Sequence, residues 1–318
     1  MRALSFILGS PPAVSEIDGI ETFWARHRAL AAREREPFDL ALLGGFAADR
    51  LGYAFASGYQ AALRALVPDL APSRVVSLSV TERGGASPRA IESALSPIAG
   101  GGYRLDGSKR WCTLASGEGL LLVAARLGED AAGRPQIRVA RVSAGAPGVT
   151  VAPMPETPFV PEIPHASLRF EGVTLAEGDL LPGDGYARVV KPFRTVEDIF
   201  VHTALLGYLI GEARRLALPR SLVERLAAGA LALHALASSD PRSPAVHVAL
   251  GGLLRGQGAL IGELDAAWAA AGSPSYARWE RDRALLMVAE NARGKRLERA
   301  WEKLAQSAGQ GSGGSAGV

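Results

Sequence analysis

The sequence predicts an α+β chain of several domains, helical at both ends and β-rich between. Three observations carry this reading. Residues from about Ser15 to Leu70 are Ala- and Leu-rich, with helical spacing of their apolar positions. From about Val75 to Leu181 glycine and proline become frequent, and short β-prone runs appear. From Val189 to Leu304 Ala, Leu, Arg and Glu dominate, and the helical period returns. Helix, strand and helix in blocks argue for segregated α and β regions, not for an alternating parallel sheet. The domains expected are residues 1–74, 75–188 and 189–308, followed by a mobile Gly/Ser/Ala tail over 309–318.

The elements follow in order. Met1–Gly9 faintly resembles a signal peptide. Its apolar run is short and leads into Pro11-Pro12 and then acidic residues, so it reads as an ordinary terminus. Phe23–Ala32 and Gly52–Leu66 read as helices, with Pro37 and Asp39 marking the gap between them. The β-prone runs are Val75–Val80, Trp111–Thr113, Leu120–Ala125, Ile137–Val142, Val149–Ala152 and Ala166–Phe170. Breaks at Pro219, Ser238–Pro244 and Gly272–Pro274 divide the last block into four helices: Arg194–Leu218, Ser221–Ala237, Ala245–Ala271 and Tyr276–Leu304. Short connections between long helices favour an antiparallel four-helix bundle. Trp268, Trp279 and Trp301 are expected in it or at its edge. Gly256-Gln-Gly-Ala-Leu-Ile-Gly262 loosely resembles a dinucleotide fingerprint, but it follows a helical stretch and its glycine spacing is wrong. Small residues for close helix packing account for it better.

Composition excludes several classes. With 318 residues the chain buries a substantial core. A net charge of +3 is too weak to argue for nucleic acid, though it leaves room for a patch that takes an anionic ligand. No apolar stretch is long enough to span a membrane. A single cysteine, Cys112, excludes an intrachain disulfide and suits a reducing cytoplasm. It reads as a small buried hydrophobe. Five scattered histidines and no paired cysteines give no metal site. No Gly-x-Ser-x-Gly elbow supports a hydrolase.

The informative residues are Leu78-Ser-Val-Thr-Glu-Arg-Gly-Gly-Ala-Ser87 and Gly107-Ser-Lys-Arg-Trp-Cys-Thr113. The first is a β-like run ending in a glycine-rich Thr-Glu turn, where the backbone comes close to a ligand because no Cβ blocks it. In the second, Trp111 and Thr113 are two apart on a strand and so share a face. Thr81, Glu82, Gly84 and Ser87 hold their places in a stretch that resembles the Thr-Glu-Pro-Gly-Ala-Gly-Ser-Asp of the acyl-CoA dehydrogenases. Arg83 and Pro88 replace that family's Pro and Asp. Leu105-Asp-Gly-Ser-Lys-Arg-Trp-Cys-Thr113 resembles the family's Leu-Asn-Gly-x-Lys-x-Trp-Ile-Thr, at the right spacing from the first motif. Pro147-Gly-Val-Thr150 and the hairpin Phe170–Val173 through Leu181–Gly185 resemble later family segments.

The resemblance implies an N-terminal helical domain, a central β-barrel domain and a C-terminal four-helix bundle. It further implies an FAD-dependent α,β-dehydrogenation of an acyl-CoA thioester. Leu78, Val80, Thr81, Ser87, Trp111 and Thr113 are the implied FAD-binding positions, with Ser87 at a phosphate or beside the pantetheine. For Trp111 a plain core role stands as the alternative. The bundle lacks the family's Arg-x-x-Phe-Gly, and the N-terminal helical region is short for the family. The glutamate that most members carry after a later Gly-Gly segment has no counterpart here. A subgroup similar to isovaleryl-CoA dehydrogenase carries its base on the first bundle helix, which points to Glu197, with Asp198 where that subgroup has arginine. A solvated acidic pair in a first helical turn is the alternative reading of the two. The resemblance implies a homodimer or homotetramer, or assembly with a full-length homologue. A shortened member that lost the reaction, acting as a partner subunit or binding protein, is the second function class.

Overall fold

The computed structural model describes residues 2–12 and 16–311. Among them four helices come first: α1 (Arg2–Gly9), α2 (Ile20–Arg33), α3 (Pro37–Phe46) and α4 (Leu51–Leu66). Seven strands follow: β1 (Val76–Ser79), β2 (Ala94–Pro97), β3 (Tyr103–Thr113), β4 (Leu120–Glu129), β5 (Pro135–Ser143), β6 (Val149–Pro153) and β7 (His165–Leu175). A π-helical turn over Tyr186–Val190 leads into α5 (Lys191–Arg215). The remaining helices are α6 (Arg220–Ala237), α7 (Pro244–Ala270), α8 (Ser275–Asp282) and α9 (Glu290–Gly311). The chain forms two compact units. One holds Asp18–Arg35 and Ala62–Arg194, including the sheet. The other holds Met1–Ile17, Glu36–Ala61 and Thr195–Val318.

In the sheet unit the strands lie in the order β1-β4-β2-β3-β7-β6, with β5 also paired to β4. Among the described residues this path has two ends, so the expected barrel is a curled sheet whose ladder does not close. Alternation sets the core in β7, where Ala166, Leu168 and Phe170 are buried. The phase then slips at Gly172, whose φ of 66° suits a residue without Cβ, and burial resumes at Val173 and Leu175. The middle of β4 instead buries Leu121–Ala125 continuously, as strands covered on both faces do. β2, too short and too mixed to read from sequence, pairs with β3.

In the helical unit α3 forms where a gap was expected. Pro37 occupies its first turn and Asp39 follows, and both start a helix better than they interrupt one. Arg2–Gly9 are likewise helical, with Ala3, Leu4 and Ile7 buried. Glycines let backbones cross: a Cβ on Gly45 would lie 1.8 Å from the Ala204 carbonyl oxygen, and one on Gly207 would lie 2.2 Å from that of Leu42. The predicted fourth helix, Tyr276–Leu304, is two. Trp279 stacks on Trp268 with ring centroids 5.4 Å apart, and its Nε1 donates to Asp265 at 2.7 Å. That anchor fixes α8, and a 3₁₀ turn over Arg283–Met287 redirects the chain into α9. Five helices therefore stand where four were expected. Trp268 and Trp279 are fully buried, whereas Trp301, expected in or at the edge of the bundle, is exposed. From residue 312 on, the expected tail lies outside the described residues, and Gly309–Gly311 belong to α9. No described helix is long and apolar enough to cross a membrane.

Candidate cofactor site

β1 carries Leu78, paired with Leu122 of β4, and runs on into Val80 and Thr81. The backbone then folds into a two-residue turn. Glu82 N–H donates to Gly85 O at 2.9 Å and Gly85 N–H to Glu82 O at 3.0 Å. Gly85 has φ 111°, a conformation that side chains resist. Beyond it Ser87 is exposed and starts a 3₁₀ turn.

A buried ion pair fastens this turn to β3. Lys109 Nζ lies 2.5 Å from Glu82 Oε1 and 3.4 Å from the Val80 carbonyl. Both side chains are buried. The Glu82 carboxylate also accepts the N–H groups of Glu92 at 2.9 Å and Ser93 at 3.1 Å. Burial alone would raise the Glu82 pKa, but Lys109 and the two N–H groups hold it below the usual range. Burial lowers Lys109, and Glu82 opposes that. The ionised partners thus satisfy each other and three backbone groups, which is the condition for keeping charge in a core. The Arg110 N–H donates to Thr81 O at 2.8 Å, completing the join.

The next residue is Trp111. Register between β3 and β7 shifts between Lys109 and Cys112, and Trp111 has φ 55°. Plain alternation from Trp111 to Thr113 is therefore replaced by a bulge. Arg110 and Trp111 both point outward, Cys112 returns to the core, and Thr113 is half-buried opposite His165. Trp111 is 48% exposed, so the core reading fails. Its ring meets His165 edge-on at 5.9 Å, and its backbone N–H donates to the Met154 sulfur at 3.2 Å. Burial holds the His165 imidazole below its usual pKa, so it is neutral at pH 7. Cys112 is the buried hydrophobe expected, its thiol pushed up to about 11 by burial.

The structure thus brings Val80, Thr81 and Trp111 onto one joined segment, with Thr113 two residues further along β3. A half-exposed indole and two partly exposed threonines beside a glycine turn fit a flat, hydrogen-bonding ring system. Ser87 instead lines a cavity of about 770 Å³ with Arg89, Arg134, Arg138, Asp130 and Tyr186. Arg134 is paired with Asp130, Arg138 donates to the Leu181 carbonyl at 3.2 Å and Asp184 also lines the cavity, so Arg89 and Arg138 leave a small cationic excess toward an anionic group. Sequence reasoning missed Glu82 and Lys109 as functional. The available signal was a lysine in the inward phase of a strand, between Leu105 and Cys112, which demands a buried partner.

Glu197 lies in the helical unit, on α5, and is half-buried. The pair with Asp198 is not a solvated one in a first turn, because α5 begins six residues earlier. Asp198 is buried, 2.8 Å from Arg293 Nε and also bonded to Arg296. The two acids point apart, and Asp198 is fully engaged.

Residues 77–173 match the family model described as acyl-CoA dehydrogenase, middle domain. No curated protein matches the sequence. Among solved structures, butyryl-CoA dehydrogenase from Megasphaera elsdenii has TM-score 0.61 at 14% identity, over 90% of this chain and 99% of that one. FMN-bound TdsC from Paenibacillus sp. A11-2 has TM-score 0.64 at 16% identity, over 90% and 93%. FkbI, for biosynthesis of a methoxymalonyl extender unit, has TM-score 0.53 at 19% identity, over 86% and 83%. At these identities the likeness is one of fold. Residues 77–173 thus match the acyl-CoA dehydrogenase middle domain, and the chain shares the fold of these solved structures.

Proposed function

We propose that the chain binds FAD on the Val80–Ser87 turn and the Trp111–Thr113 bulge, and that it oxidises an acyl-CoA thioester. The observation that carries this reading is the Glu82–Lys109 clamp, which holds a glycine turn against an outward-facing tryptophan at positive φ. Strain of that kind persists where a ligand site needs it. In this reading Thr81 and Thr113 hydrogen-bond the ring system and Trp111 packs on it. Ser87, Arg89 and Arg138 face the phosphates of the nucleotide part of the substrate. The bound flavin supplies the hydride acceptor. Glu197 takes the proton from the carbon α to the thioester carbonyl.

The test begins with absorbance in the flavin bands after dialysis against FAD, beside an FAD-dependent rise in melting temperature. A colourless protein with no such rise overturns the cofactor assignment. Anaerobic mixing with acyl-CoA thioesters then reads flavin bleaching. Glu197→Gln keeps size and hydrogen bonding but removes basicity, so bleaching slows by about 10²–10⁴-fold while FAD stays bound. Equal rates in both proteins remove Glu197 from the mechanism.

A second reading is a family member that has lost the reaction and serves as a partner subunit or a flavin-binding or acyl-CoA-binding protein. It draws support from Asp198, which replaces an arginine and is locked by Arg293 and Arg296. FAD-loaded protein that no acyl-CoA bleaches favours it.

A further inference from the structure

Gly256, Gly258 and Gly262 on α7 do not serve close helix packing. A Cβ on Gly258 or Gly262 would meet nothing within 4 Å, whereas one on Gly251 would touch Leu297. Glycine inside a helix costs stability relative to alanine. At Gly258 and Gly262 no neighbouring backbone requires it. What these positions border is a cavity of about 790 Å³ between α7, the 3₁₀ turn and α9, all within the helical unit. That volume is within the range, roughly 300–1,000 Å³, of sites for small organic molecules.

The walls are apolar, built by Leu254, Ile261, Leu286 and Leu297. Besides charged side chains on the other helices, a buried polar group lines it from α5: His202, 5% exposed. Neither of its ring nitrogens makes a hydrogen bond of normal distance and angle among the described residues; the buried Gln257, whose own polar atoms are equally unmatched, lies close enough to bond it weakly. Buried polar atoms left without partners are rare, and each needs an explanation. Burial first, then Arg293, lowers the His202 pKa to about 4, so at neutral pH one nitrogen donates and the other accepts. The surrounding charges are largely matched. Arg283 lies 2.5 Å from Asp265, and Arg293 is held by Asp198. Arg255, Glu280 and Glu290 remain, which leaves no cationic excess for an anion.

We propose that this cavity binds an uncharged, mainly apolar small molecule whose hydroxyl or carbonyl group pairs with His202. The apolar walls take the body, and the opening above Gly258 and Gly262 gives it room. None of the wall residues is among those proposed to hold the flavin or the substrate.

The test uses the full chain without added flavin and two probes of one shape, 1-naphthol and 1-methylnaphthalene, by isothermal titration calorimetry. Saturable binding of 1-naphthol is expected, about tenfold tighter than 1-methylnaphthalene, the value of one hydrogen bond. His202→Leu brings the two affinities together. Gly262→Leu fills the cavity from a position with open space and weakens both probes at least tenfold. Circular dichroism checks that each variant folds. If His202→Leu does not fold, Gly262→Leu still decides the location. The proposal fails if folded wild type binds neither probe saturably, or if Gly262→Leu binds as wild type does. It fails equally if the preference for 1-naphthol survives in a folded His202→Leu.

Discussion

Glu82 and Lys109 decide more at the residue scale than the motif residues they flank. Removing one charge leaves the other buried, at a cost of about 3–5 kcal/mol. Glu82→Gln is therefore expected to lose that much in urea unfolding and to weaken FAD binding, since Val80 and Thr81 lose their anchor. Lys109→Met combined with Glu82→Gln recovers part of the stability, because no unpaired charge remains. A double variant no more stable than Glu82→Gln removes the coupling. In the sequence, the glycine turn after Thr81 and the β character around Trp111 and Thr113 were legible, because turn residues and β-prone runs have fixed chemistry; their ligand roles stay part of the proposal. The bulge was not legible. It depends on register between β3 and β7, and a slip of one residue exchanges faces.

Glycines separate two roles at the element scale. Gly45→Ala puts a methyl 1.8 Å from the Ala204 carbonyl oxygen and must displace backbone, so a loss of about 1–3 kcal/mol is expected. Gly262→Ala meets open space and gains helix propensity, so a stabilisation of up to about 1 kcal/mol is expected. Thermal unfolding of the pair reads both signs, and like signs contradict the packing described. Helix existence was legible over α2, α4, α5, α6 and α7, where the apolar period runs long. The break between α8 and α9 was not, because its cause is the stacking of Trp279 on Trp268 from another helix.

Two buried histidines set an acid limit for the whole molecule. Burial, then the Arg64 charge, lowers His27 to about 3, and burial lowers His202 to about 4. Both are neutral when folded near pH 7, whereas the unfolded chain takes up protons near pH 6.5. Stability from this source is complete above pH 6.5 and falls as pH drops below it. Each histidine contributes about 1.4 kcal/mol per pH unit down to its folded pKa. Urea unfolding at pH 7.5, 6.5 and 5.5 is expected to show this slope, reduced in His202→Leu. An unchanged slope in that variant contradicts the assignment. The helical unit also exposes Leu231, Met287, Val288 and Trp301. Such side chains mark an interaction site only where they gather into one patch, so the expectation of an oligomer rests on the family resemblance. A dimer or larger is expected by light scattering at micromolar concentration, and a monomer contradicts it.

The sequence by itself determined the order of helical, β-rich and helical segments, because side-chain period and turn residues act over a few positions. It also determined the two motifs whose glycines and aromatic residue suit a flat ligand. Tertiary structure alone decided which charges meet. Glu82 and Lys109 are 27 residues apart, and Asp198 is 95 residues from Arg293. Burial made both meetings obligatory, since an ionised group away from water persists only beside its opposite. The same long-range packing turned α7 glycines that looked like helix contacts into the lining of a cavity.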